Sequence, residues 1–379
     1  MTLTSRISEA LNGASSLRRV SGVRVTLAAT TLLAGSMAMA QSPIFDPSVP
    51  FLPSAVRTGS TMPTNGDQNP YGIAFIGDTF LTASKGVQHG DVLVTNYNNK
   101  KNLQGTGSTI MDFPAGGGAP TVFYQSATGF GPSTGLGTLQ YGYILSASLP
   151  TKNGTSATAE PGSILVISNQ GKLLKTITGT EIDGPWDMTV VDSGDTAVVY
   201  VSNAINGTIS RITLSVSAGG VVKTGHAVIA SGYMHHGDPA ALFDAPTGLV
   251  YDKKTDILYV ASTLDNLVFG VPNASTRTTS DGPGFIVYDD PTHLHGALAM
   301  AQAPNGHLLV TNNDVINPDP NQPSELVEFT KYGEFVKEIP MDPAQGGSFG
   351  VAVHLNGDGT ASLAAVDDNA VTLTIWKLE

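Results

Sequence analysis

The chain has 379 residues, 13% of them charged, with 31 acidic side chains against 19 basic ones and no cysteine. A net charge of −12 has the wrong sign for neutralising phosphates and argues against nucleic acid or an anionic membrane surface as partner. The missing thiols exclude disulfides, thiolate metal sites and a lipid-bearing cysteine, while 43 glycines and 23 prolines point to many short strands joined by tight turns.

Residues 1–40 read as a bacterial-type secretory signal. Arg18, Arg19 and Arg24 precede an apolar, small-residue run from Val25 to Ala34 that is too short to span a bilayer, and Ala38-Met39-Ala40 suits signal peptidase. Cleavage after Ala40 predicts a mature domain at 41–379 with 15 basic and 30 acidic residues, periplasmic or secreted and without a membrane anchor. The Arg18-Arg19 pair leaves a twin-arginine route open beside the general one.

A repeated pattern then runs along the mature chain: a small or glycine-containing start, an apolar strand, a turn, a β-branched strand, then Asn or Asp. First strands are expected at Tyr71-Gly72-Ile73-Ala74, Thr134-Gly135-Leu136, Trp186-Asp187-Met188-Thr189, Thr247-Gly248-Leu249-Val250, His295-Gly296-Ala297-Leu298 and Phe349-Gly350-Val351-Ala352. Second strands follow at Val92–Asn96, Ala197–Asn203, Ile257–Ala261, His307–Asn312 and Ala361–Asp367. Gly72 to Gly350 is 278 residues over five intervals, about 56 per unit, enough for four strands with long loops. The pairs Asn206-Gly207, Asn305-Gly306 and Asn356-Gly357 are expected to reverse the chain. The pattern predicts an all-β, six-bladed β-propeller of four-stranded antiparallel blades. The sixth unit stops after its third strand, Val371–Trp376, so its open edge needs a partner, for which Phe51–Arg57 is the expected N-terminal strand.

Outer hairpins are clearest at Gly162–Thr178, turning through Asn169-Gln170-Gly171, and at Ser324–Ile339, turning at Tyr332-Gly333. Their apolar-strand, turn, glycine, apolar-strand form resembles the outer half of an NHL-repeat blade. The resemblance extends to six-bladed propellers of the gluconolactonase (SMP-30) and streptogramin-lyase group and covers the mature chain. Thr95-Asn96 and Thr311-Asn312-Asn313 depart from the Ala-Asp-x-x-Asn ending usual for that repeat.

In a four-stranded blade, the connections into strand one and out of strand two open on the same end of the ring. That end is expected to carry Asn96, Asn203, Asp265, Asn266, Asn312, Asn313, Asp367 and Asp368 after second strands, with Trp186 and Tyr71 at first-strand starts. His235, His236 and Asp238 lead into blade four, and His293 and His295 into blade five. Imidazole with carboxylate suits Zn²⁺, and Asn or Asp oxygens suit Ca²⁺, so one divalent cation held by His235, His236, His293 and His295 is a candidate, as is a polar ligand held by the Asn and Asp set. The commoner use of Asn or Asp after a strand is to cap the turn through its own backbone.

Two functions follow. One is a binding module for a protein, glycan or small molecule, favoured by the Gly/Ser/Thr-rich insertions Lys152–Glu160 and Ser275–Gly284. The other, implied by the resemblance, is a metal-dependent lyase or lactonase with His295 or His235 as base, although the relatives' ligand set does not map onto this chain residue by residue. No Gly-x-Ser-x-Gly elbow precedes a helix, which disfavours serine hydrolase chemistry.

Overall fold

The computed structural model describes residues 45–54, 57–127, 131 and 134–378. The expected signal segment, residues 1–40, and Val56 of the expected closing strand lie outside them.

Among the described residues there are six four-stranded antiparallel sheets and one short ribbon. Strand β1 (Arg57–Ser60) comes first. Blade one is β2 (Gln68–Phe75), β3 (Val92–Asn98), β4 (Thr109–Phe113) and β5 (Thr121–Gln125); blade two is β6 (Leu136–Leu139), β7 (Tyr143–Ser148), β8 (Ser163–Ser168) and β9 (Leu173–Ile177). Blade three is β10 (Pro185–Asp192), β11 (Thr196–Asn203), β12 (Thr208–Ser217) and β13 (Gly220–Ser231), after which β14 (His236–Asp238) and β15 (Leu242–Asp244) form the ribbon. Blade four is β16 (Pro246–Asp252), β17 (Ile257–Ser262), β18 (Leu267–Pro272) and β19 (Phe285–Tyr288); blade five is β20 (Ala297–Gln302), β21 (Leu308–Asn312), β22 (Glu325–Phe329) and β23 (Phe335–Pro340). Blade six is β24 (Ser348–Leu355), β25 (Ala361–Asp367) and β26 (Thr372–Leu378), completed by β1. First strands pack on one another in a cycle from β2 through β6, β10, β16, β20 and β24 back to β2, so the sheets stand radially about an axis. This is the six-bladed propeller that the repeat predicts, with each first strand where the sequence places it.

The closing strand needs a correction. The ladder on β26 is made by Arg57–Ser60, with Thr58 opposite Thr374 and Gly59 opposite Leu373, and only Arg57 belongs to the expected Phe51–Arg57 stretch. Pro47, Pro50 and Pro53 have no N–H to give a ladder, so pairing begins beyond the last of them. Phe51 and Leu52 are instead buried, and their N–H groups donate to the Glu328 carboxylate at 2.8 and 3.0 Å. His307 joins the same carboxylate through Nδ1 and meets the Pro47 carbonyl through Nε2 at 2.8 Å. Glu328 thus anchors the segment ahead of β1 to blade five.

Between blades the core is made of branched aliphatic and aromatic side chains on alternate strand positions, such as Leu145, Val166, Val199 and Ile212 between blades two and three. At the axis the packing is tighter. In five of the six blades the inner strand skips two residues against its neighbour at one level: Tyr71-Gly72, Trp186-Asp187, Thr247-Gly248, Leu298-Ala299 and Phe349-Gly350. A Cβ on Gly72, Gly248 or Gly350 would collide with backbone of the next inner strand, which is why glycine recurs there.

Second-strand hydroxyls satisfy the bulged backbone. Thr95 Oγ1 accepts the Gly72 N–H at 2.8 Å and donates to the Thr134 carbonyl of blade two at 3.0 Å. Ser202 Oγ accepts the Asp187 N–H at 3.0 Å and donates to the Thr247 carbonyl of blade four at 2.6 Å. Replacing Ser202 with Ala orphans a buried donor and acceptor at once, and Ser202→Ala is expected to lose about 1–3 kcal/mol in urea unfolding. An unchanged midpoint would show that the blades do not depend on this link.

Candidate functional site

The two sets of loops expected to share one end of the ring do so, and together they enclose a cavity of about 450 Å³ at the channel mouth. Its floor and walls carry Tyr71, Trp186, Leu298 and Phe349 from the bulges, with Tyr97 from β3 and Phe243 from the ribbon. Tyr71 meets Trp186 edge-on at 5.8 Å and Phe349 at 6.3 Å, and Tyr97 tilts onto Trp186 at 5.7 Å, so the aromatic surface is continuous.

The polar lining is unusual in what it lacks. Among the described residues, twelve buried side-chain N and O atoms have no hydrogen-bond partner, and seven belong to residues lining this cavity. Buried polar atoms are normally paired, so these atoms are available to water or to a ligand that enters the cavity. Four are acceptor oxygens: Asn69 Oδ1, Asn98 Oδ1, Gln104 Oε1 and Asp244 Oδ1. The orientations are set by donors on the other side: Asn69 Nδ2 binds Asp368 Oδ2 at 2.8 Å, Asn98 Nδ2 binds Asn102 Oδ1 at 2.7 Å, and Gln104 Nε2 binds the Ala240 carbonyl at 2.6 Å. Tyr97 OH, Tyr71 OH and the Trp186 indole N–H complete the seven. Among the described residues, no lysine or arginine lines the cavity.

Carboxylates here are held away from their ordinary range. Burial pushes Asp368 up to about 7, opposed by the bond from Asn69 and reinforced by the charge of Asp367. Burial also pushes Asp244 up to about 6, reinforced by Asp238 and opposed by His236. Further down the channel, below the aromatic floor, burial pushes Asp187 up to about 7 against the N–H groups of Met188 and Leu249. Beside the mouth Glu325 rises to about 7 by burial, opposed by its bond from Asn312.

Of the sequence candidates, Trp186, Asn313, Asp238 and Asp368 line the cavity. Asn96, Asn203 and Asn312 occupy one repeated position and tie the chain down: their Nδ2 groups donate to the carbonyls of Thr61, Glu181 and His293, ahead of each inner strand, and to the third strand of the blade. Asp265 accepts from Met234 N and Ser262 Oγ, Asn266 binds Leu294 and Gly296, and Asp367 caps its turn through Ala370 N.

The four histidines do not converge. His295 is buried with both ring nitrogens on backbone carbonyls, those of Asn317 and Thr292. His293 lies in a turn rather than a strand, bound to Asp290 at 2.7 Å and stacked on Phe335 at 3.7 Å. His235 is exposed, with Nδ1 on the Tyr233 carbonyl at 3.0 Å. Of the four, His236 alone faces a carboxylate that lines the cavity, with Nε2 3.6 Å from Asp244 Oδ2.

Sequence reading missed Asn69, Tyr97, Asn98, Gln104, Phe243 and Asp244. The available signal was His236-Gly-Asp238-Pro-Ala-Ala-Leu-Phe-Asp244, two short runs about an Asp-Pro turn, which is hairpin grammar inside a presumed linker.

Solved structures similar to this chain include a putative gluconolactonase at 9% identity and TM-score 0.52, covering 86% of this chain and 93% of that one. A gluconolactonase from Xanthomonas campestris matches at 11% and 0.51, covering 86% and 90%, and a luciferin-regenerating enzyme at 10% and 0.50, covering 86% and 95%. No protein-family model matches, and no curated protein does. The chain therefore has the six-bladed propeller fold of gluconolactonase-like proteins.

Asp187, Asp244, Asp368 and Glu325 all bind protons more tightly folded than unfolded, where carboxyls titrate near ~4. Their contribution is complete below that pH and is lost as pH rises through about 6 to 7, because the folded form must then hold buried charge. Metal-free protein is expected to melt several degrees lower at pH 8 than at pH 5 in a thermal scan. A flat or rising melting temperature over that range would contradict these environments.

Proposed function

We propose that the chain is an exported hydrolase of the lactonase type, acting at the channel mouth on a neutral, hydroxylated cyclic ester. The observation that carries this reading is the cavity itself, an aromatic bowl rimmed by unpartnered acceptor oxygens, with no lysine or arginine side chain among its described lining residues. Hydroxyl groups donate to such oxygens while C–H faces lie on the rings, and the volume suits one small molecule rather than a protein surface. Solved propellers of this fold that bear the name gluconolactonase are consistent with it.

Asp368 is the candidate base. Its Oδ2 is held by Asn69, and with a carboxyl raised to about 7 it exchanges protons near neutrality, able to take one from an attacking water and return it to the ring oxygen that leaves. The Tyr97 hydroxyl stays protonated because burial raises it well above its usual range, and it is a donor available to the charge that develops on the ester carbonyl. The product carries a carboxylate, which the re-ionised Asp368 repels, so the rim that accepts the neutral ester favours release of the acid.

A binding module remains the second reading. Of the two insertions that favour it, Lys152–Glu160 is a connection between second and third strands on the cavity end, whereas Ser275–Gly284 joins third and fourth strands of blade four and packs against Ser231 and Tyr233 after blade three.

In a panel of sugar lactones, Asp368→Asn is expected to lower kcat by about 10²–10⁴ while quenching of Trp186 fluorescence by substrate persists. Wild-type kcat/KM should rise with pH through about 7 as the base ionises. Full activity in Asp368→Asn would remove Asp368 from the chemistry. Saturable quenching with no turnover of any lactone would favour the binding module instead.

A further inference from the structure

We infer that the β14–β15 ribbon is a transition-metal site whose protein ligands are His236, Asp238 and Asp244. This stands on the ribbon's own geometry and does not require the lactonase reading.

The arrangement follows from strand register. His236 and Asp238 are two apart on β14 and so project from the same face, and Asp244 on β15 is the residue directly opposite His236. One side-chain ligand atom from each of the three lies within 4.8 Å of the others. Asp238 is held in place by Oδ1, which accepts the N–H groups of Ala240 at 2.6 Å and Ala241 at 3.0 Å and leaves Oδ2 free. Positioning of a ligand through its second atom is a common feature of built metal sites.

Asp244 supplies an independent reason. It is 1% exposed, its Oδ1 has no hydrogen-bond partner among the described residues, and its Oδ2 lies 3.6 Å from His236 Nε2, beyond hydrogen-bonding distance, with the Asp238 carboxylate also close by. A carboxylate withdrawn from water needs compensation, and a divalent cation between Asp244, Asp238 and His236 provides it. One imidazole with two carboxylates suits Zn²⁺ or Mn²⁺, whereas Ca²⁺ prefers six or more oxygens and takes no imidazole nitrogen. Asp238 and Asp244 also line the mouth cavity, so a cation bound here sits at its wall.

The test is equilibrium dialysis of purified mature protein against Zn²⁺, Mn²⁺ or Ca²⁺ separately, with bound metal measured by mass spectrometry and folding checked by circular dichroism. The expected result is one equivalent of Zn²⁺ or Mn²⁺, bound at least about tenfold more weakly in His236→Ala and Asp244→Asn and unchanged in His293→Ala. Asp244→Asn removes a buried charge and should stay folded, and the metal-induced rise in melting temperature should vanish in it. Wild-type protein without bound Zn²⁺ or Mn²⁺, protein that takes up Ca²⁺ alone, or metal retained in Asp244→Asn would overturn the assignment. Because no substrate is used, a metal-loaded protein that hydrolyses nothing would sink the lactonase reading and leave this one standing.

Discussion

The paired-residue skip in the inner strands is the constraint from which the rest of the molecule follows. Closing six sheets around an axis brings inner strands close together, and three of the five skips carry glycine, at Gly72, Gly248 and Gly350, where a Cβ would meet backbone of the next inner strand. The bulge breaks the ladder there, and Thr95 and Ser202 restore the lost pairing while linking each blade to the next. The same skip turns Tyr71, Trp186, Leu298 and Phe349 toward the channel mouth, so one backbone feature both seals the ring and lays the floor of the cavity.

This explains the departure from the usual repeat ending. In Thr95-Asn96, Ser202-Asn203 and Thr311-Asn312 the hydroxyl reaches the bulged backbone, while the amide reaches the loop that feeds the same blade. Two adjacent strand residues point to opposite faces, so a two-residue unit can serve both sides of a blade. Polarity at that position therefore serves architecture, and the unpartnered oxygens that line the mouth belong to Asn98 at the end of β3, Gln104 beyond it and Asn69 near the start of β2.

Much of the fold was legible because it rests on local pattern. Inner strands announced themselves by a small residue before an apolar run, and second strands by β-branched runs ending in Asn or Asp. The closing strand was displaced because a general argument for edge pairing did not weigh where three prolines end and the Glu328 anchor begins. That the loops into first strands and out of second strands border one cavity was legible from strand parity alone. The roles of its residues were not: an Asn that holds a loop and an Asn that faces a cavity are the same letter, and which partner each finds depends on tertiary register. The histidines mislead for a similar reason, since proximity in sequence between His293 and His295 says nothing of the carbonyls that occupy the buried ring.

The account comes down to whether the unpartnered oxygens at the mouth are made to be met by donors of a small neutral ligand. A crystal structure of the mature protein grown with a lactam analogue of a sugar lactone, which hydrolysis leaves intact, tests this directly. The analogue is predicted to lie on the Tyr71, Trp186 and Phe349 rings with hydroxyls donating to Asn69 Oδ1, Asn98 Oδ1 and Gln104 Oε1. An empty mouth at saturating analogue, or the analogue bound at the opposite end of the channel beside Asp187, would contradict it.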